Sequence, residues 1–175
     1  GQAERAAGRL PMILIGIGSN LPARGHATPA ETAAAAVAAL PEICVVIRAL
    51  SPWYSSEPVP VSDQPWFINA VAAVTTSLGP EELLARLLRL EARFGRARSL
   101  ANAARTLDLD LLDHNGALYD TPRLTLPHPR LHQRRFVLRP LCDIAPQWRH
   151  PRLRRTAREL LEALPAEQQV RPAGC

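Results

Sequence analysis

The sequence of 175 residues contains no lysine; all 21 of its basic residues are arginine. That absence excludes several mechanisms at once. Without lysine there is no Walker A phosphate grip, no kinase-type strand lysine and no Schiff base. Any phosphate chemistry must then rest on arginine, metal and backbone amides. Aromatic residues are equally scarce at 5%. No run of them has the pattern of an RNA-reading sheet, so the formal net charge of +5 is weak support for an RNA-binding module. That module is kept as the rival reading. Cys44, Cys142 and Cys175 are scattered and form no CxxC pair, which argues against a disulfide framework or a zinc site. Cys44 lies in an apolar run and is expected in the core. No apolar stretch approaches the roughly 20 residues needed to cross a bilayer. The first ten residues lack the apolar region of a signal peptide. We expect a disordered N-terminal segment over residues 1–10 and a single cytoplasmic domain over residues 11–175.

What is present suffices for a core, with 47% hydrophobic and 21% charged residues. Met12 to Gly18 is an apolar run closed by Gly-Ser-Asn, which reads as a buried strand and turn. Thr28-Pro29-Ala30-Glu31 is a capping box with proline at the first helical position, and the Ala-rich helix behind it stops at Pro41. Ile43 to Tyr54 reads as one strand, Ser55 to Pro65 as a proline-rich loop, and Trp66 to Thr76 as another strand. Gly79-Pro80-Glu81-Glu82 opens a helix with a leucine stripe that ends near Gly95. After an arginine-bearing loop, Thr106 to Leu112 alternates as a fourth strand, and a hairpin is expected at Asn115-Gly116. A Pro-rich turn, a helix near Gln133 to Leu141 and a last helix boxed by Thr156 and Glu159 complete the chain. The order β-α-β-β-α-β predicts an α+β fold: a ferredoxin-like split β-α-β antiparallel sheet, helices on one face, and a C-terminal extension.

The sharpest chemical signal is Thr106-Leu107-Asp108-Leu109-Asp110-Leu111. On a strand, Asp108 and Asp110 share a face while the leucines take the other. Two carboxylates so close invite a cation between them, and Mg²⁺ is commonly held by one or two carboxylates plus substrate phosphates. Glu91, Arg96, Arg98 and Arg105 border the loop just before this strand, and guanidinium forks suit phosphate oxygens. His128 is fixed between two prolines, and Arg134 lies two residues before Phe136. Phe67 and Asn69 share a strand face, offering a ring to stack on and an amide to read the edge of a flat heteroaromatic.

In series, these blocks resemble the 6-hydroxymethyl-7,8-dihydropterin pyrophosphokinases of folate biosynthesis. The carrying segments are Gly16-Ile17-Gly18-Ser19-Asn20, Asp63 through Asn69, Pro80-Glu81-Glu82-Leu83-Leu84, Gly95-Arg96-Ala97-Arg98, Arg105 to Leu112, Leu124 to Pro129, and Arg134 to Leu138. The resemblance implies an ATP-dependent diphosphotransferase giving AMP and the pterin diphosphate. It implies Asp108 and Asp110 as ligands of two Mg²⁺ ions, and Arg96 and Arg105 as the catalytic arginines. Glu91, Arg98, His128 and Arg134 would serve ATP. Ser56, Pro58, Val59, Phe67, Asn69 and Phe136 would form the pterin pocket. The partners implied are these two small molecules, with neither nucleic acid nor membrane, and the chain is expected to be a monomer. A non-catalytic pterin- or nucleotide-binding domain is the other alternative. The main departure from the family pattern is in the loop, where Asn102-Ala103-Ala104 stand in place of the Trp-Gly-Pro that many members carry, so weaker pterin binding is expected. Phe67 replaces a frequent tyrosine, and Glu57 a frequent proline.

Overall fold

A computed structural model describes residues 12–96 and 104–174. The expected N-terminal segment 1–10, Arg98 and positions 102–103 lie outside the described residues. The chain runs β1 (Ile13–Ser19), α1 (Pro29–Ala39), β2 (Val46–Leu50), β3 (Tyr54–Ser56), β4 (Phe67–Thr75), α2 (Pro80–Arg93), β5 (Asp108–His114), β6 (Tyr119–Asp120), β7 (Thr125–Leu126), α3 (Arg135–Ile144), α4 (Ala157–Glu162) and β8 (Val170–Pro172). The main sheet has the order β5-β1-β4-β3-β8, with β2 also paired to β4, and every pairing is antiparallel.

β1 is buried on both faces. Ile13, Ile15 and Ile17 join Ala33 and Ala36 of α1 and Leu83, Leu87 and Leu90 of α2 in one core, while Leu14 joins the other. Each of those three α2 leucines is fully buried, so truncation to alanine would cost about 2–5 kcal/mol. The second core sits on the opposite face, where Val137, Leu138 and Leu141 of α3 meet Leu14, Val71 and Leu112, with Leu160 of α4. The expectation of helices on one face therefore holds only for α1 and α2. The C-terminal helices cover the other face because Leu14, Val71 and Leu112 would otherwise be left in water.

The local signals at the helix starts are realised with small changes. Thr28 Oγ1 accepts from Glu31 N at 3.1 Å, but the Glu31 carboxylate accepts from Ala27 N rather than from the cap residue. The Thr156 box closes reciprocally. Gly95 ends α2 at φ +80°, a left-handed conformation in which glycine meets no Cβ penalty.

Three expectations need correction. Ile43 to Tyr54 is not one strand: the chain makes a short 3₁₀ turn over Leu40–Ile43, passes through Cys44 at φ +65°, and forms β2 and β3 on the same edge of β4. The interruption falls at Ser51-Pro52, where proline offers no N–H to a ladder. Cys44 is exposed, not core, because it occupies that turn. At Asn115-Gly116 the chain does turn, with φ of 54° and 73°, but no hairpin with β5 follows. β6 pairs instead with β7. Among the described residues, no helix is long and apolar enough to cross a membrane.

Candidate functional site

On the face beneath α3, the strands β1, β4 and β5 change character along their length. Leu14, Val71, Ala73 and Leu112 form an apolar end that α3 covers. At the other end stand Gly16 and Gly18, Phe67 and Asn69, and Asp108 and Asp110. Polar side chains and missing side chains leave that end open to a cavity of about 470 Å³. The register aligns its parts: Gly18 pairs with Asn69 on one side and Asp108 on the other, and Gly16 pairs with Asp110. Two ladder spacings thus separate Asn69 from Asp108, about 10 Å across the sheet. A Cβ at Gly18 would lie 3.0 Å from Asn69 Oδ1 and 3.9 Å from the Asp108 Cβ. Glycine keeps that floor flat.

One part of the cavity lining is aromatic and amide-bearing. Ser56, Pro58, Val59, Phe67, Asn69 and Phe136, the residues that the resemblance pointed to, all line the one cavity. Asn69 is buried, and its Nδ2 donates to Ser56 Oγ, so the amide plane is fixed before any ligand arrives. The Arg134 guanidinium sits 5.4 Å from the centre of the Phe136 ring, a cation–π arrangement at the border with the other part.

The other part is ionic. Asp108 Oδ1 accepts from Arg96 Nη1 at 3.0 Å, and Oδ2 accepts from Arg105 Nη1 at 3.0 Å. The same Arg96 nitrogen donates to Glu91 Oε2, which also accepts from Leu109 N at 2.7 Å. Glu91 is only 2% exposed, and burial raises its pKa against the pull of Leu109 N–H and Arg96. Glu91, Arg96, Asp110 and His128 stand behind or beside the cavity rather than in its lining, which on this side includes Asp108, Arg105 and Arg134.

Asp110 has weaker support. Among the described residues its cationic partner is Arg134, with Nη1 at 3.9 Å from Oδ2. Burial, and then the Asp108 carboxylate, push its pKa up to about 7. His128 lies beyond: its backbone N–H donates to Leu112 O at 2.9 Å, and its Nδ1 accepts from Arg130 N at 3.2 Å. Burial, and then Arg134, lower its pKa to about 4. The imidazole is therefore neutral near pH 7, and the proton is assigned to Nε2 by the Arg130 contact.

The two aspartates suit a hard divalent cation. No group of three or more His, Cys, Asp or Glu residues forms a cage among the described residues. A pair of carboxylates, one of them unneutralised enough to hold a proton to about pH 7, is nonetheless the donor set that Mg²⁺ takes when phosphates and water complete its shell.

Several residues of the site were not singled out from the sequence. Asn20 is 1% exposed and ties three segments: its Nδ2 donates to Gln64 Oε1 and Pro65 O, both at 3.1 Å, and its Oδ1 accepts from Arg105 N at 2.7 Å. The Gly-Ser-Asn strand end was the available signal. Arg130 and Gln133 also line the cavity, and proximity to the His128 turn could have suggested them. Gln168 lines it too, from a tail that carries no signal.

Comparison with known proteins bears on the family and the fold. The sequence profile of the family described as 7,8-dihydro-6-hydroxymethylpterin-pyrophosphokinase matches residues 14–146. A 2-amino-4-hydroxy-6-hydroxymethyldihydropteridine pyrophosphokinase of Pseudomonas aeruginosa is 45% identical over 158 residues, covering 89% of this chain and 93% of that protein. Its counterpart in Haemophilus influenzae is 40% identical over 132 residues, 75% of this chain and 79% of that one. Among solved structures, wild-type Plasmodium falciparum HPPK-DHPS with pteroate aligns with a TM-score of 0.66 at 14% identity. The alignment covers 87% of this chain but 42% of that longer one, and at that identity the likeness concerns the fold.

Proposed function

This chain belongs to the 7,8-dihydro-6-hydroxymethylpterin-pyrophosphokinase family, and from that premise we propose how its side chains divide the work. The reaction is transfer of pyrophosphate from ATP to 6-hydroxymethyl-7,8-dihydropterin, with AMP and the pterin diphosphate as products. The pterin hydroxyl oxygen bonds to the β-phosphorus, the bond from that phosphorus to the oxygen of the AMP phosphate breaks, and the hydroxyl proton is lost.

In our reading the pterin lies between Phe67 and Phe136, with Asn69 bonding its edge and Ser56, Pro58 and Val59 closing the side. His128 and Arg134 hold the nucleotide, and Glu91 acts by fixing Arg96. Arg98 is assigned to ATP on sequence grounds alone. Asp108 and Asp110 would hold Mg²⁺, two ions in our assignment; the metal would screen phosphate charge and orient the chain of phosphates. Arg96 and Arg105 rest on Asp108 until phosphate oxygens compete for them. Drawn onto the phosphates, they would neutralise charge that grows during transfer and leave Asp108 to the metal. Both roles need only positioning and electrostatics, as phosphoryl transfer requires.

The observation that supports this reading is the register: the Asn69 amide and the Asp108 carboxylate flank the same glycine of β1, Gly18, and Asp110 stands opposite Gly16 two positions away. We also read the sheet order β5-β1-β4-β2 as the ferredoxin-like split β-α-β arrangement. We assign the enzyme to the cytoplasm as a single-domain monomer acting on small molecules rather than on nucleic acid or a membrane. The direct test is release of AMP from Mg-ATP that depends on hydroxymethyl-dihydropterin, with the pterin diphosphate identified by mass. ATP hydrolysis without pterin dependence would overturn the reading.

A further inference from the structure

We propose that the C-terminal tail, residues 168–172, is a clasp that holds the two walls of the pterin cavity at their working distance, with Gln168 as its positioning residue. The proposal rests on the pterin reading of the cavity. The tail lies beyond residues 14–146, where the family profile matches.

One arm of the clasp is β8. It adds to the edge of β3, with Ser56 opposite Val170, Ser55 opposite Arg171 and Tyr54 opposite Pro172. The ladder continues at Glu57, whose backbone N–H donates to Gln169 O at 3.2 Å, while its carboxylate accepts from Gln169 N at 3.0 Å. A proline at position 57 would lack both the N–H and the acceptor. The glutamate that departs from the family pattern is thus the residue that fastens the tail to the wall formed by Ser56 and Pro58.

The other arm is Gln168. Helix α3 begins with no side-chain cap of its own, because Arg134 occupies the cap position. Orphan N–H groups at a helix start need an acceptor. Gln168 Oε1 supplies it from 33 residues away, accepting from Arg135 N at 2.8 Å, and Gln168 Nε2 donates to Gln133 O at 2.8 Å. Arg135 in turn donates to Pro165 O at 3.1 Å. The first turn of α3 carries Phe136, and Arg134 stands at its cap. Gln168 itself faces the cavity between these walls. The tail therefore caps the helix that bears the Phe136 wall while pairing with β3, the strand that brings Ser56 to the side wall of the same cavity.

The test is pterin affinity, measured by calorimetry with 6-hydroxymethyl-7,8-dihydropterin, beside the melting temperature. Gln168→Ala is expected to raise the pterin Kd about tenfold, the scale of losing a helix cap with its paired hydrogen bond. Gln168→Glu keeps the acceptor for Arg135 N and should recover most of that affinity. Glu57→Ala should weaken binding by a similar factor, and the double variant by less than the product, because both act on one clasp. Asn69→Ala is the control for the pocket itself. If Asn69→Ala weakens binding while Gln168→Ala changes only the melting temperature, the tail is merely structural and the proposal is overturned with the pocket intact. If neither substitution alters affinity, the pocket reading and the clasp fall together.

Discussion

Replacing Asp110 with asparagine should make the metal-free protein more stable and the enzyme inactive. The carboxyl is raised from the usual 3.8 to about 7, chiefly by burial and next by Asp108. At 1.36 kcal/mol per unit, a charge so disfavoured carries a penalty of about 4 kcal/mol as an upper bound. The side chain keeps 30% of its exposure, so solvent screening reduces the usable figure to about 1–2 kcal/mol. For a domain of this length that corresponds to a gain of about 2–8 °C in melting temperature.

The sign follows from proton binding. Between about pH 4 and pH 7 the folded chain holds a proton on Asp110 that the unfolded chain has released. Stability from this group is thus present at low pH and lost as pH rises through about 7. Calorimetric melts in EDTA should show wild type losing stability from pH 5 to pH 8 relative to Asp110→Asn, with the variant higher at pH 8. Adding Mg-ATP should reverse the order, because only wild type offers the second carboxylate. Turnover should fall by at least about 10² in the variant. A metal-free variant at pH 8 that melts at or below wild type would refute the reasoning, since Asp110 would then be well compensated without a cation.

Arg105→Ala should lower kcat about 10²–10³-fold and leave pterin Kd within twofold, as steady-state kinetics and calorimetry would show; a loss confined to KM would mean ground-state binding only. His128→Gln should raise KM for ATP by a similar factor at pH 6 and at pH 9, because the imidazole is held neutral by a pKa near 4; a penalty much larger at pH 6 would reveal a protonated histidine. Gly18→Ala brings a Cβ to 3.0 Å from Asn69 Oδ1, so Asn69 must shift, and pterin Kd should rise about tenfold, the scale of one displaced hydrogen bond to a buried group.

The parts of the fold that could be read from sequence are those whose causes are local. The Thr156 box, the Pro80 helix start, the left-handed Gly95 and the alternation around Asp108 each depend on residues within one turn or a few strand positions. Ser51 shows the limit. Its N–H donates to Val71 O at 2.9 Å and its Oγ accepts from Val71 N at 3.0 Å, so a partner 20 residues away bridges the break between β2 and β3. Cys44 failed for a related reason: apolar neighbours suggested the core, whereas the backbone needed a left-handed turn there. Which face the C-terminal helices would cover was equally hidden, because it depends on Leu14 and Val71 being left bare by α1 and α2.

The site divides along the same line. Residues that would touch substrate, such as Asp108, Phe67 and Asn69, declare themselves by type and spacing, since chemistry restricts what can stand there. Residues that hold those groups in place do not, because an amide can meet a distant backbone from many positions. Asn20 meets Arg105 from 85 residues away, and Gln168 meets Arg135 from 33. Neither carries a charge, and although Asn20 closes the Gly-Ser-Asn segment, nothing in that segment names its distant partner. Glu57 is the instructive middle case: the sequence marks it as a departure without a reason, and the reason is Gln169, 112 residues further on and just before β8, which a proline could not have fastened.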